Sequence, residues 1–371
     1  VLSICFLATL VLCYRDLGAP GWSCDADLMK RSKTVPKSVH SLRPADIDII
    51  AALGDSLTAA NGAGCEGEDV LGIAIQWRGL TFSLGGDKSL DEHISLANIL
   101  KKFNPDVFGY SIRTGSANVW ETAHLNAGIP GAHAGGMYDQ AVDVLRRMKE
   151  HPEIDYLNKW KLVHIFIGGN DICGWCNKEP DAANGDHYRD QLRLAVQFLK
   201  DNMPKTIVVL TGMIDVNLLR RIDRAHNVCH EIHTFECKCE GNATISDAEL
   251  SGMCHEYMDR MQELQDSGEF DTSDDFTLII EPYLSLTDDI GRNPDGTPNM
   301  DFFAPDCFHF AAYGHAIVAK GLWNNMMQPV GAQSAANLTD DGIPPICPDK
   351  CPDKNCPFIR TTKNSDDCSK Y

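Results

Sequence analysis

Basic residues are scarce in this chain of 371 residues: 33 Lys and Arg stand against 52 Asp and Glu, a formal net charge of -19. That deficit excludes non-specific binding to nucleic acid or to an anionic membrane face, since both need clustered positive charge. Neutral, uncharged and zwitterionic partners stay open. Apolar runs of membrane-spanning length are also missing from the body of the chain. No internal repeat at a solenoid period is present, which excludes stacked-repeat architectures. There is no initiator Met either.

What is present begins with an apolar run from Val1 to Cys13, stopped by Tyr14-Arg15-Asp16. It is too short to cross a bilayer and has the length of a signal-peptide core. Residues 1–20 are therefore read as a leader remnant of a fragment, and an anchor outside that fragment stays open. Fifteen cysteines are many for a reducing compartment. Setting aside Cys5 and Cys13 leaves thirteen, so at least one thiol should be unpaired or paired elsewhere. Two glycosylation sequons, at Asn242 and Asn337, agree with the cysteines and the leader on a secreted or lumenal location.

Strand-like apolar runs alternate with amphipathic stretches. Ile47 to Leu53, Leu162 to Ile167, Thr206 to Leu210 and Phe276 to Ile280 read as buried strands, with a weaker one just before Asn126. Helical patterns cover 137–149, 187–203, 248–266 and 311–327. The alternation predicts a three-layer α/β/α fold around a mostly parallel, doubly wound, five-stranded sheet. One domain over 21–335 is expected, with a cysteine-rich insertion at about 228–254. A Cys- and Pro-rich tail at 336–371 is expected outside the core.

In an open parallel sheet the reactive groups gather beyond the carboxyl ends of the strands. The first strand runs into Gly54-Asp55-Ser56-Leu57. A Ser there more often caps a helix than attacks a substrate, so the later elements decide. They are Asn126-Ala127-Gly128-Ile129-Pro130-Gly131, then Gly168-Gly169-Asn170-Asp171, then Asp306-Cys307-Phe308-His309. Each falls after a candidate strand or before the last helix. Together they supply a hydroxyl, amide donors, a carboxylate and an imidazole. Thr58 stands where a Gly-x-Ser-x-Gly elbow has its second Gly, which disfavours an α/β-hydrolase.

This order of blocks resembles the GDSL, or SGNH, hydrolases, and more narrowly their phospholipase B branch. Further blocks that carry the likeness are Ser95 to Pro105, Ile167 to Cys173 with Cys176, Phe302 to Phe310, and Leu322 to Met326 with Pro329 to Gly331. The likeness runs from about Ile47 to Gly331. It implies the flavodoxin-like fold, Ser56 as nucleophile, His309 as base and Asp306 orienting it. It also implies an oxyanion hole from the N–H groups of Ser56 and Gly131 with the amide of Asn170. Asp55 and Asp171 read as structural. The implied activity is hydrolysis of phospholipid or lysophospholipid esters, with transient contact to a lipid surface and with no metal or organic cofactor. The alternatives are an esterase for neutral lipids or acetylated sugars, and a secreted binding protein without turnover. Oligomeric state cannot be read.

Other residues compete for roles. His315 could be a rival base, but its place inside a helical pattern favours packing. His226, His230 and His233 beside Cys229 have a spacing that could suggest zinc. The oxidising context and the likeness of this stretch to the insertion of phospholipase B favour cystines instead. Cys173 and Cys176 have redox-pair spacing, yet they follow a Gly-Gly-Asn-Asp turn, and a structural bridge fits better. Cys307 sits where it could pin the loop that carries His309.

Overall fold

The computed structural model describes residues 14–65, 69–177, 184–348 and 356–371. The apolar leader at 1–13 and Cys351 lie outside them. Four parallel strands form the sheet: β1 (Ile49–Gly54), β2 (Lys161–Phe166), β3 (Thr206–Thr211) and β4 (Phe276–Glu281), ordered β1-β2-β3-β4. Every residue of all four is buried, which is why they read as continuous apolar runs: helices cover both faces.

The helices are α1 (Ser56–Ala59), α2 (Leu96–Phe103), α3 (Trp120–Ala123), α4 (Met137–Glu150), α5 (Gly169–Gly174), α6 (Gly185–Asn202), α7 (Leu219–Asp223), α8 (Asn227–Glu236), α9 (Asp247–Asp266), α10 (Ala312–Met326) and α11 (Thr362–Asp366). α4, α6 and α9 pack side by side as one layer, while α2 packs with α10. α4 shows how the sequence builds this. Met137, Gln140, Ala141, Val144, Leu145 and Met148 fall at three- and four-residue spacing and form its buried stripe.

The expected fifth strand is not a strand among the described residues. The chain meets β1 at two single points, Phe108 opposite Ile49 and Asn126 opposite Ala52. Between them it leaves the sheet to form α3, so no continuous ladder can build. Gly109 sits at φ 110°, and a Cβ there would lie 2.0 Å from the Ile50 carbonyl oxygen. With these two bridges counted, the segment lies beyond β1, opposite to β2. The order then reverses at β1, as in a doubly wound sheet.

Two boundaries also move. The cysteine-rich insertion drawn at 228–254 runs into α9, whose buried Leu250, Met253 and Cys254 belong to the core cluster. The tail returns to the body: Ile359 is buried in the core, and Asn364 donates to the His40 and Ile359 carbonyls at 2.8 and 2.9 Å. Disulfides hold it, Cys24–Cys347 to the N-terminal part and Cys356–Cys368 within itself. Its few apolar residues hide this in the sequence.

The strand register places the site. Gly54, Phe166, Thr211 and Glu281 pair in one row across the sheet. All four carboxyl ends therefore stop at a single edge.

Candidate active site

Ser56 opens α1 directly beyond the end of β1. Asp55 caps that helix, its carboxylate accepting from the Leu57 N–H at 2.9 Å. The turn before it needs glycine. Gly54 has φ 159°, and a Cβ there would sit 2.1 Å from Thr58 Oγ1 and 2.5 Å from the Phe166 carbonyl oxygen. Gln140 on α4 clamps the same peptide from both sides, accepting from Gly54 N–H and donating to Gly54 carbonyl, each at 2.8 Å.

His309 comes from the loop before α10. That loop doubles back on itself. Phe303 pairs antiparallel with Phe310, Ala304 N–H donates to the His309 carbonyl at 2.7 Å, and Cys307 takes the left-handed φ of 62°. A non-glycine residue in that region needs its surroundings to hold it. Here the Cys229–Cys307 disulfide ties it to α8. Cys173–Cys237 and Cys176–Cys239 tie the segment after α8 to α5 and the turn that follows it. The Cys173/Cys176 pair is thus two separate structural bridges. Cys65 and Cys254 are free thiols.

The structure brings the three expected residues into one chain of hydrogen bonds. His309 Nε2 lies 2.8 Å from Ser56 Oγ, and its Nδ1 lies 2.5 Å from Asp306 Oδ2. The second oxygen of Asp306 accepts from the Phe308 and His309 N–H groups, both at 3.0 Å. Burial would push the Asp306 carboxyl up. The hydrogen bond and charge of His309, with the two N–H donors, hold it below the usual range. For His309, burial pulls the imidazole down, but the Asp306 bond and charge, then Glu236 and Asp55, leave it raised. The ring is therefore a stronger base than a free histidine, with a partner ready to stabilise its cation.

Asn170 on α5 lines the same pocket as Ser56 and donates to the Ala132 carbonyl at 2.8 Å. Gly131, exposed at φ 77°, joins this group through its neighbour Ala132 rather than by a direct bond to Ser56. Asp171 accepts from the Ala134 N–H at 3.0 Å, and Asp55 caps α1, so both carboxylates serve loop amides as expected. Burial pushes the Asp55 carboxyl up to about 6. Leu57, Phe166, Met213, Val216, Phe303 and Phe308 give the pocket beside Ser56 an apolar wall.

Residues outside the expected set also shape the site. Buried Arg78 donates to the Gly128 carbonyl at 2.7 Å and to the Asn126 side chain at 2.9 Å, fixing the 126–131 loop, while Asn126 donates to the Thr58 carbonyl at 2.9 Å. Burial and the charge of Arg147 lower the Arg78 guanidinium to about 9. Glu236, at the end of α8, has a carboxylate oxygen within 4.8 Å of ligating atoms of Asp306 and His309. Burial of that carboxyl group and the charge of Asp306 push it up to about 7. His315, the rival base, is fully buried on α10, where it accepts from the Phe82 N–H at 3.3 Å and stacks on the Phe82 ring. The His226, His230 and His233 group is split: His226 and His230 are exposed and His233 is buried. Asn337 is exposed and Asn242 partly so.

Residues 50–322 match the GDSL-like lipase/acylhydrolase family. The chain belongs to that family. Membership places it among carboxylic ester hydrolases. It is similar to the membrane-associated phospholipase B1 of Rattus norvegicus, 37% identical over 339 residues, covering 90% of this chain and 23% of the relative. The Homo sapiens protein of the same name matches at 37% identity, covering 90% and 23%. The chain thus spans about a quarter of the length of these curated relatives. Among solved structures, an acetylxylan esterase from Geobacillus stearothermophilus aligns at 16% identity and TM-score 0.37, covering 78% of this chain and 95% of that one. No helix among the described residues is long and apolar enough to cross a membrane.

Proposed function

We propose that this chain is a secreted or lumenal serine esterase that releases fatty acids from phospholipids or lysophospholipids through an acyl-enzyme on Ser56. The observation that carries the reading is the Ser56–His309–Asp306 hydrogen-bond chain opening beside an apolar pocket. His309 takes the Ser56 proton as Oγ bonds to the acyl carbon. The negative charge that forms on the carbonyl oxygen is met by the N–H groups of Ser56 and Gly131 and by the Asn170 amide. His309, now cationic beside Asp306, gives the proton to the departing glycerol oxygen as that C–O bond breaks. Water then repeats the sequence, with His309 as base, and frees the fatty acid and Ser56.

The lipid part rests on two supports. The surroundings of Ser56 are largely apolar, with Leu57, Met213 and four phenylalanines, a chemistry that suits the acyl part of a lipid ester. The relatives spanning most of this chain carry the name phospholipase B1. Five disulfides among the described residues fit an oxidising compartment. The test compares fatty-acid release from phosphatidylcholine, lysophosphatidylcholine, a triglyceride and acetylated xylan, with fluorophosphonate labelling of the wild type and Ser56→Ala. Preference for the two phospholipids, with label and turnover both lost in Ser56→Ala, is expected. Turnover retained by Ser56→Ala removes the mechanism, and preference for acetylated xylan removes the lipid assignment.

A further inference from the structure

Behind the loop that carries His309, three side chains from separate segments converge. Asp223 ends α7, His233 lies on α8, and Glu240 follows α8 in the link to α9. Their ligating atoms all lie within 4.8 Å of one another. His233 Nδ1 approaches Asp223 Oδ1 at 2.8 Å and Glu240 Oε2 at 3.5 Å. The His233 and Glu240 side chains are fully buried and that of Asp223 is 8% exposed.

The 2.8 Å approach is an ion pair when the His233 ring is protonated. Both Glu240 oxygens, in contrast, have no aligned hydrogen-bond donor. Two carboxylates around one imidazole keep a net negative charge even with the ring protonated, a costly buried arrangement that a bound cation would neutralise. An imidazole nitrogen with carboxylate oxygens is a donor set for Zn²⁺, whereas Mg²⁺ and Ca²⁺ prefer oxygen alone. Asp223 also has the outer support typical of a metal ligand, since His230 Nδ1 lies 3.1 Å from its second oxygen.

We propose that Asp223, His233 and Glu240 supply three ligands to one Zn²⁺ ion that braces α8 against the loop bearing His309. The ion takes no part in the reaction proposed for Ser56. Its effect reaches the site through α8, which carries the Cys229–Cys307 bridge and sets the His233 ring 6.1 Å from the ring of Phe308. The three histidines that suggested zinc in the sequence thus contribute one ligand, and the other two ligands are carboxylates.

The test measures bound metal in the whole chain, purified without chelator, alongside Glu240→Gln and Glu236→Gln. The second variant is a control, because Glu236, Asp306 and His309 form the other such grouping among the described residues. The chelated proteins are then titrated with ZnCl₂ while thermal unfolding is followed. Stoichiometric zinc in the wild type and in Glu236→Gln is expected, with a Tm that rises on adding zinc. In Glu240→Gln the apparent Zn²⁺ affinity should fall by about tenfold or more. Absence of zinc from the wild type, with a Tm indifferent to ZnCl₂, overturns the proposal. Zinc lost from Glu236→Gln but kept by Glu240→Gln overturns it too, by assigning the metal to the other grouping. If Glu240→Gln does not fold, the wild-type metal content and Tm response decide alone.

Discussion

The two halves of the candidate site are held in different ways. The Ser56 half stands on the sheet: Gly54 ends β1, Gln140 grips its peptide, and Arg78 with Asn126 ties the neighbouring loop down. No disulfide among the described residues touches that half. The His309 half stands on a loop with a left-handed cysteine, and covalent bonds tie that loop to α8 and the segment after α8 to α5 and the turn that follows it. Where the core supplies rigidity, packed polar contacts suffice. Where the loop lies over an added segment, oxidised cysteines take over.

The contrast can be attacked at four places. Arg78→Met should act through stability, because it leaves the buried Gly128 carbonyl and Asn126 side-chain oxygen and the half-buried Gly115 carbonyl without this donor. A loss of about 3–5 kcal/mol in urea unfolding is expected, and a loss below 1 kcal/mol would show the nucleophile half does not lean on it. Asn170→Ala should lower kcat by about 10²–10³-fold with a smaller change in KM, measured on a soluble ester. Equal changes in substrate binding and turnover would instead mark a ground-state contact.

Replacing both Cys229 and Cys307 with Ser should lower stability by about 2–4 kcal/mol. Hydrogen exchange sharpens the comparison here. Amides of 307–310 should lose protection while those of 57–60 keep it; equal loosening would erase the distinction between the halves. The smallest effect is expected from Glu236→Gln. Its carboxylate, with a midpoint of about 7, helps raise the His309 imidazole. In the proposed reaction His309 must be neutral to accept the serine proton, so activity should fall as pH drops through its midpoint. Without the Glu236 charge that midpoint falls, and the acid limb of kcat/KM should move to lower pH. A limb that moves up, or stays, contradicts the assigned electrostatics.

The legible parts were short-range. Ser56, Asn170, Asp306 and His309 each sit within a few residues of a strand end or helix start, so local spacing revealed them. The four strands were readable because each is buried on both faces and almost wholly apolar. Arg78 gave no such signal: apart from Gln76, its side-chain partners are 37 to 50 residues away, and nothing around it marks a buried cation. Gln140 left a trace, as a polar residue on the mostly apolar buried stripe of α4. The fifth strand failed because an excursion through α3 interrupts its pairing, and alternation cannot register that. Cystine pairing stayed hidden for a general reason, since four of the five bonds span 63 to 323 residues and depend on the finished fold.

The common row formed by Gly54, Phe166, Thr211 and Glu281 gives the fold an asymmetric tolerance to insertion. One residue added within β2 would carry Asn170 outward by about 3.3 Å and swap which side chains face each helical layer. The same residue added after the row ends would leave the layers alone. Length variation compatible with a working site should therefore concentrate in the connections beyond that shelf.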